Sequence, residues 1–93
     1  MSDSIVRRTS GLLEARLEGE LVGLNVEQGA CYGFNATATR VWELIEQPTP
    51  RSALRETLLR EYEVDAETCD RELDVLLGEL QRHGLVAVEP APR

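Results

Sequence analysis

Residues 23–45, GLNVEQGACYGFNATATRVWELI, constrain the fold more than any other stretch of this chain. Apolar residues alternate on both sides of Glu27-Gln28-Gly29. That pattern reads as two antiparallel strands joined by a turn, with Gly29 free to take a positive φ. The later strand runs directly into Asn35, whose side chain is suited to accept from the open N–H groups of a helix start. A helix over residues 36–46 follows, with Ala38, Val41, Trp42 and Ile45 on one face and Pro48 as its stop. A hairpin feeding an Asn-capped helix leaves few architectures open.

The flanking sequence extends both halves. Upstream, Leu13, Ala15 and Leu17 alternate with Glu14, Arg16 and Glu18, the period of a half-buried strand, and the leucine side is predicted to face the core. Gly19-Glu20 is predicted as a tight turn. The next strand covers residues 21–26 with Val22, Leu24 and Val26 inward. A third covers 30–34 with Tyr32 and Phe34 on one face, which makes a three-stranded meander. Downstream, Thr49 and Pro50 are predicted as N-cap and first residue of a second helix that buries Leu54, Leu58 and Tyr62. Asp65 caps a third helix whose core stripe is Cys69, Leu73, Leu76, Leu77 and Leu80. Gly84 stands at its C′ position, and residues 85–88 read as a short closing strand. Residues 1–11 read as a flexible lead, 12–88 as one domain and 89–93 as a flexible tail. Strands followed by helices argue an α+β fold. The predicted architecture is winged-helix-like: a three-stranded antiparallel sheet, three helices and a short C-terminal strand.

Ninety-three residues support a single modest core. The formal charge of −7, from 17 acidic side chains against 10 basic ones that are all Arg, works against loose attachment to nucleic acid or an anionic membrane. A DNA-reading helix needs donors and surrounding positive charge. The third helix instead carries Glu67, Asp70, Glu72, Asp74 and Glu79 against Arg71 and Arg82, so a winged-helix regulator is a secondary reading. Cys31 and Cys69 lie far apart, and the single His83 cannot complete a metal site with them. The chain shows no apolar signal-peptide core and no run of membrane-spanning length. Reduced thiols and a cytoplasmic location are therefore expected. No phosphate loop, dinucleotide fingerprint, zinc-protease motif or nucleophile elbow is present. His83 belongs to a helix C-terminus, where it suits the dipole. The expectation is no catalysis, no cofactor and no metal.

Two quieter features point to binding. At about 100° per residue, Arg71, Val75, Gly78 and Arg82 fall on one stripe away from the leucine face. A glycine inside a helix costs about 1 kcal/mol relative to Ala, and its small size lets another chain come close. The third strand, last in its meander, would leave backbone N–H and C=O groups free for strand addition.

Leu24, Gly29, Phe34, Asn35, Val41 and Trp42 occur in the order L-x-x-x-x-G-x-x-x-x-[LF]-N, then a helix with V-W. With Glu61-Tyr62-Glu63-Val64-Asp65 and the run from Leu80 to Gly84-Leu85-Val86, they resemble the PqqD-like family across residues 12–88. Members are small non-catalytic recognition domains of ribosomally made, modified peptides. The resemblance implies that a precursor's leader segment adds as a strand beside the third strand, against the third helix, and is delivered to a partner enzyme. The implied contact residues are Ala30, Cys31, Tyr32, Gly33, Phe34, Arg71, Val75, Gly78 and Arg82. GACYGFN and the position of Trp42 look more like the free-standing lasso-peptide type, whose partners are a leader peptidase and then a cyclase. A quinone-cofactor pathway chaperone is the alternative, and an enzyme-free scaffold for a folded protein is a third. A monomer is expected, with a strand-exchanged dimer open to the exposed edge.

Overall fold

A computed structural model describes residues 3–9, 12–18, 20–25 and 28–90. The elements in chain order are β1 (Ser4–Arg8), β2 (Leu12–Leu17), β3 (Glu20–Asn25), β4 (Ala30–Phe34), α1 (Ala36–Leu44), β5 (Thr49–Pro50), α2 (Arg51–Glu61), α3 (Ala66–Arg82) and β6 (Val86–Pro90). The α+β class, the three helices and the antiparallel meander β2-β3-β4 follow the sequence-based expectation. A second three-stranded sheet, ordered β5-β1-β6, does not.

That second sheet corrects the reading of both termini. Part of the expected flexible lead is β1, which pairs along its whole length with β6, from Ser4 opposite Pro90 to Arg8 opposite Val86. It also pairs with β5 at Ile5 and Val6. Val6 is fully buried, and this single core side chain, with two strand partners, holds the segment in place. The closing strand continues through Glu89 and Pro90, beyond the residues 85–88 expected from sequence. Arg7 and Glu89, diagonal neighbours across the pair, form an ion pair at 2.8 Å.

In the meander the expected inward faces of the first two strands are reversed. Leu13 and Leu17 are each 60% exposed and Leu24 is 42% exposed. Leu21 is fully buried, and Leu12 packs on the edge of the core. Register is the cause. Phe34 and Tyr32 do face inward on β4, and their partners on β3 are Leu21 and Gly23. Directly paired residues share a face, so Val22 and Leu24 are sent outward. A side chain at Gly23 would lie 3.0 Å from Leu12 Cδ2 and 3.2 Å from the Phe34 ring, so the glycine leaves room for both. The hairpin also turns one residue earlier than expected. Leu17 pairs with Glu20, and Glu18 takes a left-handed φ of 54°. Gly19, Val26 and Glu27 lie outside the described residues.

The helices form largely where their signals place them. The Asn35 carboxamide accepts from the Ala38 N–H at 2.8 Å, and Asp65 accepts from the Thr68 N–H at 3.0 Å. At the end of α3 the Leu85 N–H donates to the Leu80 carbonyl at 2.9 Å and the Gly84 N–H to Gln81 at 3.0 Å. With Gly84 at φ +75° this is a Schellman closure. The N-cap of α2 is Pro50 and has no side-chain cap bond. Thr49, expected in that role, turns its hydroxyl back to the Leu44 and Gln47 carbonyls, which closes the end of α1. Tyr62, expected in the core, is 37% exposed.

Trp42, 2% exposed, is the largest fully buried side chain. Its ring meets Phe34 edge-on with centroids 5.5 Å apart. The Arg8 guanidinium lies 4.4 Å from the Trp42 ring centroid and donates to the Trp42 carbonyl at 2.6 Å. Arg8 therefore ties the terminal sheet to α1, and its ion pair to Glu14 adds the meander. Among the described residues no helix is long and apolar enough to cross a membrane.

Candidate functional site

β4 has β3 on one side and no strand on the other among the described residues. In an antiparallel edge strand, alternate residues turn N–H and C=O outward, so Ala30–Phe34 offers a short template for another strand. Tyr32 packs against His83 at the C-terminal end of α3, with ring centroids 5.0 Å apart. This contact closes one end of the space between β4 and the helix.

At the other end, where β4 gives way to α1, a cleft of about 720 Å³ opens. Its floor is apolar, formed by Leu58, Val64, Cys69, Leu73 and Leu76. Asn35 and Thr37 at the start of α1 form one wall, Tyr62 lies at the end of α2, and α3 contributes Arg71, Glu72, Val75 and Glu79. The gap lies between the start of α1 and the α2–α3 pair. α2 and α3 pack on each other through Leu54, Leu58, Leu73 and Leu77, while the first turn of α1 stands apart from both. The half-exposure of Tyr62 has the same origin, because its ring borders the cleft instead of filling it.

The structure brings together only part of the expected contact set. Ala30 to Phe34 form the free edge, with Cys31 and Gly33 outward and Tyr32 and Phe34 toward the core. Val75, 59% exposed, and Arg71 line the cleft. Gly78 and Arg82, on the same stripe of α3, do not line it. A side chain built at Gly78 meets nothing within 4 Å, so that surface is open. Glu72, Leu76 and Glu79 line the cleft and were not among the expected residues. The available signal was Leu76, at the margin of the leucine stripe, bracketed by two glutamates on the same side of the helix.

The charged groups around the cleft are arranged unevenly. Asp70 and Asp74 pair with Arg51 and Arg55 on the α2 side, at 2.6 to 3.8 Å. Arg40 makes two short hydrogen bonds to Glu61, at 2.8 and 2.7 Å, and these hold the Glu61 carboxyl below the usual carboxylate range. The Thr68 hydrogen bonds do the same for Asp65. Burial pushes the Cys69 thiol up, so it stays protonated as part of the cleft floor. Among the described residues no group of three metal-ligating side chains is close enough to hold an ion. The arrangement offers main-chain pairing along one edge and an apolar cleft with polar walls beside it. Those are the elements of extended-peptide recognition.

Comparison with known proteins points the same way. No curated protein matches this sequence. Two solved structures share the fold. One, described as TbiB1 in complex with the TbiA(beta) leader peptide, is 26% identical with a TM-score of 0.78, over 86% of this chain and 93% of its own. The other, a lasso peptide synthetase B1 complexed with the leader peptide, is 23% identical with a TM-score of 0.76, over 88% and 96%. The family model of coenzyme PQQ synthesis protein D (PqqD) matches residues 20–86, from the tip of the β2–β3 hairpin to the start of β6. This chain belongs to the PqqD family.

Proposed function

We propose that this chain binds the leader segment of a ribosomally made precursor peptide and presents it to a maturation enzyme, as a non-catalytic recognition protein of lasso-peptide-type biosynthesis. The leader adds as a strand to β4. Its side chains on one face enter the cleft against α3, with Arg71 and Val75 at the wall, and Gly78 and Arg82 leave the adjoining helix surface open. The observation that carries the reading is a free strand edge next to an open apolar cleft. The leader-bound state of the 26% identical TbiB1 structure supports it. Affinity comes from main-chain hydrogen bonds, and specificity from the cleft. A partner peptidase then acts on a leader held in one register.

The three helices with their flanking sheets are read as winged-helix-like. The acidic surface of α3 makes that helix a poor reader of DNA. The description of the matching family favours one second reading, a peptide chaperone of the quinone-cofactor pathway. The two readings share the site and differ in the precursor.

Amide chemical shifts followed during titration with a synthetic leader from the neighbouring precursor gene test the proposal. Shifts concentrated at residues 30–34 and along the cleft wall of α3 are expected. Shifts confined to the β5-β1-β6 sheet would exclude this mode. Leaders from lasso and quinone pathways, compared in the same titration, separate the two readings.

A further inference from the structure

The two flanks of α3 are both acidic and are treated differently. On the flank against α2, Asp74 lies 2.6 Å from Arg51 and Asp70 lies 2.7 Å from Arg55. On the flank against the cleft, Glu72 and Glu79 have no ion-pair partner among the described residues. They bracket Val75 and Leu76, one helical turn to either side. Arg71 also lines the cleft beside Glu72 and has no ion-pair partner among the described residues. The first turn of α1 contributes an opposing partial positive charge, at the opposite wall. The α3 wall therefore presents two unpaired carboxylates around an apolar centre, with one guanidinium beside them and a net negative charge.

We infer that the peptide taken by this cleft carries an apolar residue with a Lys or Arg near it on the same face, and that Glu72 and Glu79 select for that positive charge. The inference rests on the strand-addition reading above and adds the chemical class of the bound segment. Spacing supports it. Glu72 and Glu79 stand roughly 5 Å along the helix axis on either side of the Val75–Leu76 centre, at 1.5 Å per residue. Same-face side chains of an extended peptide recur every ~6.7 Å, within reach of a long basic side chain. A basic residue two positions from the apolar anchor, on either side, meets one of the two carboxylates. The long-range charge of the chain acts in the same direction and speeds encounter with a cationic segment.

The test is fluorescence anisotropy with a dye-labelled synthetic leader and a copy whose Lys and Arg residues are replaced by Gln. It uses the full chain and its E72Q, E79Q and E72Q/E79Q variants, with E56Q on the outer face of α2 as control. Each single variant is expected to weaken the native leader by about two- to fivefold, and the double variant more. Raising the salt should weaken wild-type binding and leave the double variant nearly unaffected. The Gln-substituted leader should bind wild type and double variant alike. Native-leader binding that is unchanged in E72Q/E79Q, or tightened by it, overturns the inference while leaving strand addition intact. So does a Gln-substituted leader that binds wild type as tightly as the native leader does. Failure of every leader to bind wild type instead removes the functional reading itself.

Discussion

Gly23 has no room for a side chain: a methyl there would press on Leu12 and on the Phe34 ring at 3.0 to 3.2 Å. Phe34 does not yield easily, because it is buried against Trp42, and Leu12 would have to shift at the edge of the core. Replacing Gly23 with Ala is expected to cost about 1–3 kcal/mol, the usual penalty of overpacking, read as a lower urea midpoint at unchanged slope. The opposite holds for Leu17, which alternation alone assigns to the core. Leu17→Lys should leave the midpoint within about 0.5 kcal/mol of wild type, since the side chain stands on the outer face of the meander. These two residues show why the strand faces were hard to read from sequence. A glycine contributes nothing to an alternation pattern, so the buried side of β3 looks weaker than its exposed side. Only the register with Tyr32 and Phe34 reveals it. The thiols provide a third residue-scale check. Cys31 is exposed and Cys69 is buried with its thiol pushed up by burial, so one equivalent of a thiol reagent should react at once with the native chain. The second equivalent should react only on unfolding. Two fast thiols would mean that the Cys69 floor of the cleft opens readily.

At the scale of elements, the capped helices and the meander were legible because each carries local chemistry at its ends: Asn35, Asp65 and Gly84 act where their types act best. β1 was not legible. It is five residues long with one fully buried side chain, and its partners come from residues 49–50 and 86–90. No local period can announce such pairing, which depends entirely on distant chain. Its contribution is testable. Val6→Ala removes two buried methyl groups at a site closed on both sides, and should cost about 2 kcal/mol by denaturant unfolding. A negligible cost would mean that the terminal sheet is peripheral to the fold. The site divides in the same way. The free edge of β4 follows from its place as last strand of a meander, so it could be read in advance. The cleft depends on how the start of α1, the end of α2 and one side of α3 converge. Distance from the leucine stripe therefore picks out Arg71 and Val75, which line the cleft, together with Gly78 and Arg82, which do not, and it misses Glu72, Leu76 and Glu79.

For the whole molecule, many of the arginines are committed to carboxylates on other elements: Arg7 to Glu89, Arg16 to Glu43, Arg40 to Glu61, Arg51 to Asp74 and Arg55 to Asp70. Individually, exposed pairs of this kind contribute little. Their collective signature is a pH dependence with a definite sign. Glu61 is held low by Arg40, and Asp65 and Asp3 by hydrogen bonds from Thr68 and Ser52. A carboxylate whose folded pKa is depressed contributes stability that is present above its unfolded pKa and lost as pH falls through the folded one. Urea midpoints should therefore be level from about pH 8 to 5 and decline below about pH 4, where unfolded carboxyls take up protons first. Acidification also has an opposing effect, because protonation relieves the mutual repulsion of a chain carrying −7. The Glu61→Gln variant separates the two. It removes one depressed carboxylate and barely changes the overall charge, so it should be less stable than wild type at pH 7 and approach it as pH falls. If the wild-type and Glu61→Gln curves run parallel down to pH 3, the Arg40–Glu61 pair between α1 and α2 makes no contribution to acid sensitivity, and repulsion alone sets the shape.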